Sequence, residues 1–86
     1  MRLPRDVSGD ELARRFAAVG YQITRQTGSH LRLTRSGPEE HHITVPRHKS
    51  LRVGTLNGVL RDVAERLKMD RDELIVALWE TERSGS

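Results

Sequence analysis

Apolar positions recur along this chain in two rhythms, and the changes of rhythm mark its elements. Leu12, Phe16 and Val19 fall at i, i+4 and i+7, one face of a helix. Ser8 and Glu11 stand ahead of that stripe as a Ser-x-x-Glu capping box, and Gly20 follows as a stop, which predicts a helix over residues 8–19. From Tyr21 the period drops to two. Residues 21–26, 30–35 and 41–46 alternate apolar and polar side chains and are predicted as strands. Thr27-Gly28-Ser29 joins the first two as a hairpin turn, with Gly28 where a positive φ is expected. Ser36–Glu40 is a longer turn, and Pro46, with no amide to donate, ends the third strand. Connections this short predict an antiparallel meander. Alternation puts Leu31, Leu33, Ile43 and Val45 on one face, with Tyr21 and Ile23 beside them. It puts His30, Arg32, Thr34, His42, Thr44, Gln22 and Thr24 on the other. The first face requires a cover of helices; the second is expected to stay open to water.

The helical rhythm then returns. After a basic loop over Arg47–Gly54, which holds His48, Lys49 and Arg52, Thr55 is expected to cap a helix over residues 55–67. Leu56, Val59, Leu60, Val63, Ala64 and Leu67 form its stripe. Asp70 and Glu73 form a second capping box and open a helix over 71–81 with Leu74, Ile75, Leu78 and Trp79 on one side. Residues 1–7 read as a leader and Arg83–Ser86 as a frayed tail. The whole is an α+β pattern in one domain, residues 1–86, without a repeat or a low-complexity segment.

Composition narrows the setting. A chain of 86 residues supports one domain with a thin core. No apolar run approaches the ~18 residues of a membrane span, and the N-terminus lacks the apolar region of a signal peptide. The absence of cysteine excludes disulfides and thiol catalysis, and a cytoplasmic location is expected. The formal net charge is +3, unevenly spread. Residues 1–54 hold ten Lys and Arg against five Asp and Glu, whereas residues 55–86 hold five against seven. A polyanion would be steered to the first half, although arginines also serve simply to keep a small domain in solution.

Within that basic half, His30 follows the Gly28-Ser29 turn and lies on the open face with Arg32. Glycine at the turn lets a ligand approach the backbone closely, and a histidine exchanges protons near neutral pH. A lone strand histidine is more often structural. Beside arginines on an open basic face, however, His30 and Arg32 make up the minimal apparatus for handling a phosphodiester, one to transfer a proton and the other to hold the phosphate. Arg25 would help, but alternation places it on the Ile23 face.

The order helix, three strands, helix, together with its motifs, resembles the HicA (YcfA-like) toxins of bacterial toxin–antitoxin pairs. The residues that carry the resemblance are Ser8-Gly9-Asp10-Glu11-Leu12, Gly20-Tyr21 and Arg25-Gln26-Thr27-Gly28-Ser29-His30. Ile43-Thr44-Val45-Pro46-Arg47-His48, Gly54-Thr55-Leu56 and Val59-Leu60 continue it, so it covers residues 8 to about 75. It implies a double-stranded-RNA-binding-domain-like fold and an mRNA-cleaving toxin whose catalytic histidine is that of Gly-Ser-His, here His30. It also implies cleavage without a metal or other cofactor, and silencing by a HicB-like antitoxin that covers the active surface. The toxin is expected to be a monomer when free and a hetero-oligomer with its antitoxin. Two departures stand out. Many relatives carry a second histidine where this chain has Leu31, a position alternation turns toward the helices, and the capped third helix with Trp79 is longer than in some relatives.

Gly28, Ser29, Arg25, Arg32, His42, His48 and Lys49 are the expected RNA contacts. His48 serves either to bind phosphate or to brace the loop, and Lys49 and Arg52 are either phosphate contacts or a solvated loop. His41 and His42 point to opposite faces, a poor geometry for chelation, so no metal site is expected. The segment Val63–Leu74 superficially resembles a helix-turn-helix, but its second helix starts Asp70-Arg71-Asp72-Glu73, which repels phosphates. A non-catalytic RNA-binding domain is the principal alternative.

Overall fold

The computed structural model describes residues 3–37 and 39–80. Its elements are α1 (Gly9–Arg15), a 3₁₀ turn (Phe16–Val19), β1 (Tyr21–Gln26), β2 (His30–Arg35), β3 (His41–Pro46), α2 (Val53–Leu67) and α3 (Arg71–Trp79). The strands form one antiparallel sheet in the order β1-β2-β3. A helix, a three-stranded meander and a further helix make the α+β arrangement that the pattern predicts, with α3 added, and it is the double-stranded-RNA-binding-domain-like fold that the resemblance implies.

Local chemistry starts and stops the helices. Ser8 Oγ accepts from the Glu11 amide at 3.0 Å. The Glu11 carboxylate, expected to reach back to Ser8, instead receives Arg15 Nε at 2.9 Å. The chain then tightens into the 3₁₀ turn and leaves it through Gly20, whose φ of 93° is the left-handed cap that glycine adopts without strain. At α3 the Asp70–Glu73 capping box forms in both directions. The helix begins two residues earlier at α2 than expected. Leu51 is drawn into the core and its amide donates to Val7 O at 2.7 Å, so the chain turns helical at Val53. Arg52 occupies the cap position without a side-chain bond, and Thr55 falls inside the first turn. Helix α3 ends at Trp79; residue 81 and the expected tail lie outside the described residues.

The core lies between the sheet and the helices. Leu31, Leu33, Ile43 and Val45 from the sheet meet Leu12 and Phe16 of α1, Leu56, Leu60 and Val63 of α2, and Leu74 and Leu78 of α3. Leu31, which alternation turns toward the helices, is 2% exposed. The expected leader is more than that: Val7 belongs to the core and Leu3 packs against it. Ile23 sits on the covered side but stays 45% exposed, at the rim of the core beside Arg14 and Gln26. Arg15 ties α1 to α3, donating to Leu78 O at 3.1 Å and stacking over the Trp79 ring at 5.2 Å.

One irregularity in β1 changes the open face. Ile23 pairs with Leu33, but Arg25 pairs with Arg32, so Thr24 is an extra residue, a β-bulge. The turn explains it. Tyr21 opposite Arg35 calls for a three-residue connection over 27–29. Instead the Thr27 amide donates to His30 O at 2.9 Å and closes a tighter turn on Gly28 and Ser29. The residue saved at the turn is expelled as the bulge. Arg25 therefore stands opposite Arg32 on the open face, not with Ile23 as strict alternation requires.

Candidate functional site

The Gly28-Ser29 turn is braced from inside the hairpin and from outside it. Thr27 Oγ1 accepts from the His30 amide at 2.9 Å, which frees the Thr27 carbonyl to receive Arg47 Nη1 at 3.4 Å. The Arg47 amide donates to Ser29 O at 2.8 Å. Its guanidinium grips Asp10 with both arms, Nε to Oδ1 at 3.0 Å and Nη2 to Oδ2 at 3.3 Å. Hydrogen bonding from Arg47, with the charges of Arg47 and Arg14, holds the Asp10 carboxyl below its usual pKa of 3.8 despite some desolvation. Asp10 lies in the first turn of α1, where a negative charge also meets the helix dipole. A third contact locks α1 in place. The Gly9 amide donates to His48 O at 3.0 Å, and a Cβ on Gly9 would lie 1.9 Å from Pro46 O. Only glycine permits that approach.

Gly28 differs from this. Its φ is not positive, contrary to expectation, and a Cβ there would meet nothing within 4 Å. The fold does not require glycine at 28; the space beside it opens outward.

His30 is exposed at the start of β2, and its Nδ1 lies 3.1 Å from Ser29 Oγ. Arg32 follows on the same face, with Arg25 opposite it. Beyond the arginines, Thr24, Arg25, Arg32, Thr34, Glu40 and His42 line an open groove of about 350 Å³. A chain of hydrogen bonds crosses its floor. Thr24 Oγ1 and Thr34 Oγ1 are 2.7 Å apart, Thr34 Oγ1 meets His42 Nδ1 at 2.8 Å, and His42 Nε2 meets Glu40 Oε2 at 2.8 Å. Thr34 is buried beneath this chain, although its face is otherwise open.

His41, one residue away, points into the core. The Tyr21 hydroxyl lies 2.6 Å from its Nδ1, and Asp62 Oδ1 lies 3.6 Å from its Nε2. Burial pushes the Tyr21 phenol above its usual pKa.

The structure thus gathers His30, Arg32, Arg25 and His42 on one face, and sets Gly28 and Ser29 at its end. Pro46 pairs with His30, which starts the loop bearing His48 and Lys49 beside the turn. The His48 and Lys49 side chains are exposed, and the His48 backbone does the bracing. Among the described residues no three His, Cys, Asp or Glu side chains converge as a metal-binding group. Sequence reading gives Asp10, Arg47 and Glu40 no role in the site, and it places Thr24 and Thr34 on the open face without one. The Asp10–Arg47 pair joins residues 37 apart, which no local spacing reveals; its one local signal is the acid in a helix's first turn.

The chain matches the family model for the HicA toxin of bacterial toxin–antitoxin systems over residues 9–64. It belongs to the HicA toxin family. The match takes in the braced turn, the whole sheet and most of α2, and leaves α3 outside. Comparison with curated proteins and with solved structures gave no match. Membership makes the protein a toxin with an antitoxin partner. Among the described residues no helix is long and apolar enough to cross a membrane.

Proposed function

We propose that this toxin is a metal-independent endoribonuclease that cleaves mRNA with His30 as general base, and that a HicB-like antitoxin silences it by covering the open face. The observation that carries the reading is the placement of His30: exposed, on a turn braced by Arg47 and Asp10, with two arginines next along the face. Successive open-face positions on a strand are about 6.7 Å apart, close to the repeat of an extended RNA backbone. A phosphate at His30 therefore leaves the next one for Arg32 and Arg25.

In this mechanism the His30 Nδ1–H donates to Ser29 Oγ, which leaves the Nε2 lone pair as the base. Nε2 takes the proton of a ribose 2′-OH. The 2′-oxygen forms a bond to the adjacent phosphorus, and the bond from phosphorus to the 5′-oxygen breaks. The imidazolium or a water returns a proton to the leaving oxygen. The products are a 2′,3′-cyclic phosphate and a 5′-hydroxyl. Arg32 and Arg25 oppose the charge that grows on the phosphoryl oxygens.

His30→Ala is expected to lower cleavage by roughly 10²–10⁴-fold, the span of general-base catalysis. Its melting temperature should stay at the wild-type value, because the side chain is exposed. Wild-type cleavage should persist in EDTA and fail on RNA carrying 2′-deoxyribose at the cut position. Near wild-type activity in the alanine variant removes His30 as the base. Products with 5′-phosphate ends, or EDTA inhibition reversed by a divalent ion, point to a metal-dependent nuclease instead.

A further inference from the structure

We infer that the groove lined by Thr24, Arg25, Arg32, Thr34, Glu40 and His42 is a base-reading subsite that selects guanine through the Glu40 carboxylate. The inference rests on the RNA-cleaving reading above and adds to it a specificity at a second place on the face. Thr34 and its partner His42 lie four residues along β2 from His30, about 13 Å at the rise of a strand. That is two steps of an extended single strand. The arginines stand at the near end of the groove, where a phosphate suits them. Glu40 stands at the far end, and a carboxylate repels phosphate. What it attracts is an edge rich in N–H donors.

The hydrogen-bond chain prepares that carboxylate. With His42 neutral, Thr24 donates to Thr34, Thr34 to His42 Nδ1, and His42 Nε2–H to Glu40 Oε2. The direction of the chain fixes Glu40 as terminal acceptor and leaves Oε1 without a hydrogen bond among the described residues. Guanine carries two adjacent donors on its Watson–Crick edge, N1–H and the N2 amino group, and both reach one carboxylate. Adenine and cytosine offer only an amino group beside an acceptor. Uracil offers one N–H between two carbonyls that the carboxylate repels. The expected order is guanine, then adenine and cytosine, then uracil. Unpaired bases are the ones whose Watson–Crick edge a protein can reach, so the substrate is single-stranded at this position.

The test is cleavage of a random single-stranded RNA pool by the wild type, Glu40→Gln and Thr34→Val, with the new ends sequenced and melting temperatures measured alongside. In parallel, His30→Ala alone and combined with Glu40→Gln is titrated with short RNAs that differ at one base. The wild type should enrich guanine at one position near the cut by about 10-fold, within the discrimination of a bidentate contact. Glu40→Gln should bring the enrichment to near unity, and Thr34→Val should lower it in part. The titration should show the same loss in affinity ratios. An unchanged base profile in Glu40→Gln overturns the inference and leaves the nuclease reading standing. So does a uniform gain of RNA affinity without a change in base ratios, which assigns the groove to phosphate. Guanine-selective binding without cleavage overturns the nuclease reading and upholds the subsite. A Glu40 effect confined to antitoxin binding overturns the inference.

Discussion

His41 and His42 are consecutive in β3, and the sheet sends them to opposite environments. His41 is sealed under the helices, where it takes the hydroxyl of a buried tyrosine. His42 lies on the open face within a chain of polar side chains that ends in a carboxylate. The same contrast runs through the whole sheet. On the covered face, side chains are held by the loss of water around Leu31, Leu33, Ile43 and Val45. On the open face they are held by directed hydrogen bonds, and the cations among them face solvent. Stability is therefore concentrated on one side and the capacity to bind an anion on the other, in residues that alternate along the same three strands.

Neighbouring substitutions in β2 break the contrast most sharply. Leu33 is fully buried, and Leu33→Ala is expected to cost about 2–5 kcal/mol by lost burial and a residual cavity. Arg32→Glu, one residue away, should leave the melting temperature nearly unchanged. It should weaken binding of RNA and of the antitoxin, RNA most at low salt where phosphate attraction is unscreened. Equal thermal losses in the two variants, measured by denaturation, would remove the division of labour between the faces.

The histidine pair sharpens it at a smaller scale. His41→Ala strips the buried Tyr21 hydroxyl of its partner and should cost about 1–3 kcal/mol. His42→Ala, on the exposed side, leaves the buried Thr34 hydroxyl its Thr24 partner, so it should cost less, about 0.5–1 kcal/mol, and should show its main effect in RNA binding.

The smallest effect is one of pH. The Tyr21 phenol is raised above its ordinary value of 10.0 by burial. Its contribution to stability is complete below that value and is lost as pH rises through the higher folded pKa. Chemical denaturation between about pH 9 and 11 should show this decline in the wild type. Tyr21→Phe should lack that component while starting from a lower stability. An identical alkaline slope in the two proteins would rule it out.

Much of the covered face was legible in the sequence, because apolar alternation and burial are two expressions of one constraint. Leu31, Leu33, Ile43 and Val45 lie where period two places them, and so do His30 and Arg32 opposite. Arg25 was not legible. Its face depends on whether the turn takes two residues or three, and Thr27-Gly28-Ser29 suits either. Thr55 misled for a related reason: a good capping residue was overridden when the core claimed Leu51. The Asp10–Arg47 brace is a product of tertiary approach across 37 residues, which no local pattern of residue types encodes. Glu40 and His42, at i and i+2, share a face by the same period-two rule, but Glu40 falls in the turn ahead of β3, where the alternation was not extended.

The brace on the Gly-Ser-His turn has a consequence in time. Its two halves, Gly9-Asp10 and Pro46-Arg47, are separated by the entire sheet in the sequence. While the chain is being made, at roughly 5–20 residues per second, the hairpin that carries His30 is synthesised well before Arg47 exists to hold it. A growing chain with its hairpin already formed is therefore still an unassembled toxin. The turn becomes rigid only when the start of the first helix meets the end of the third strand, so His30 is not set in place until the 17 residues that follow it, through Arg47, have been made.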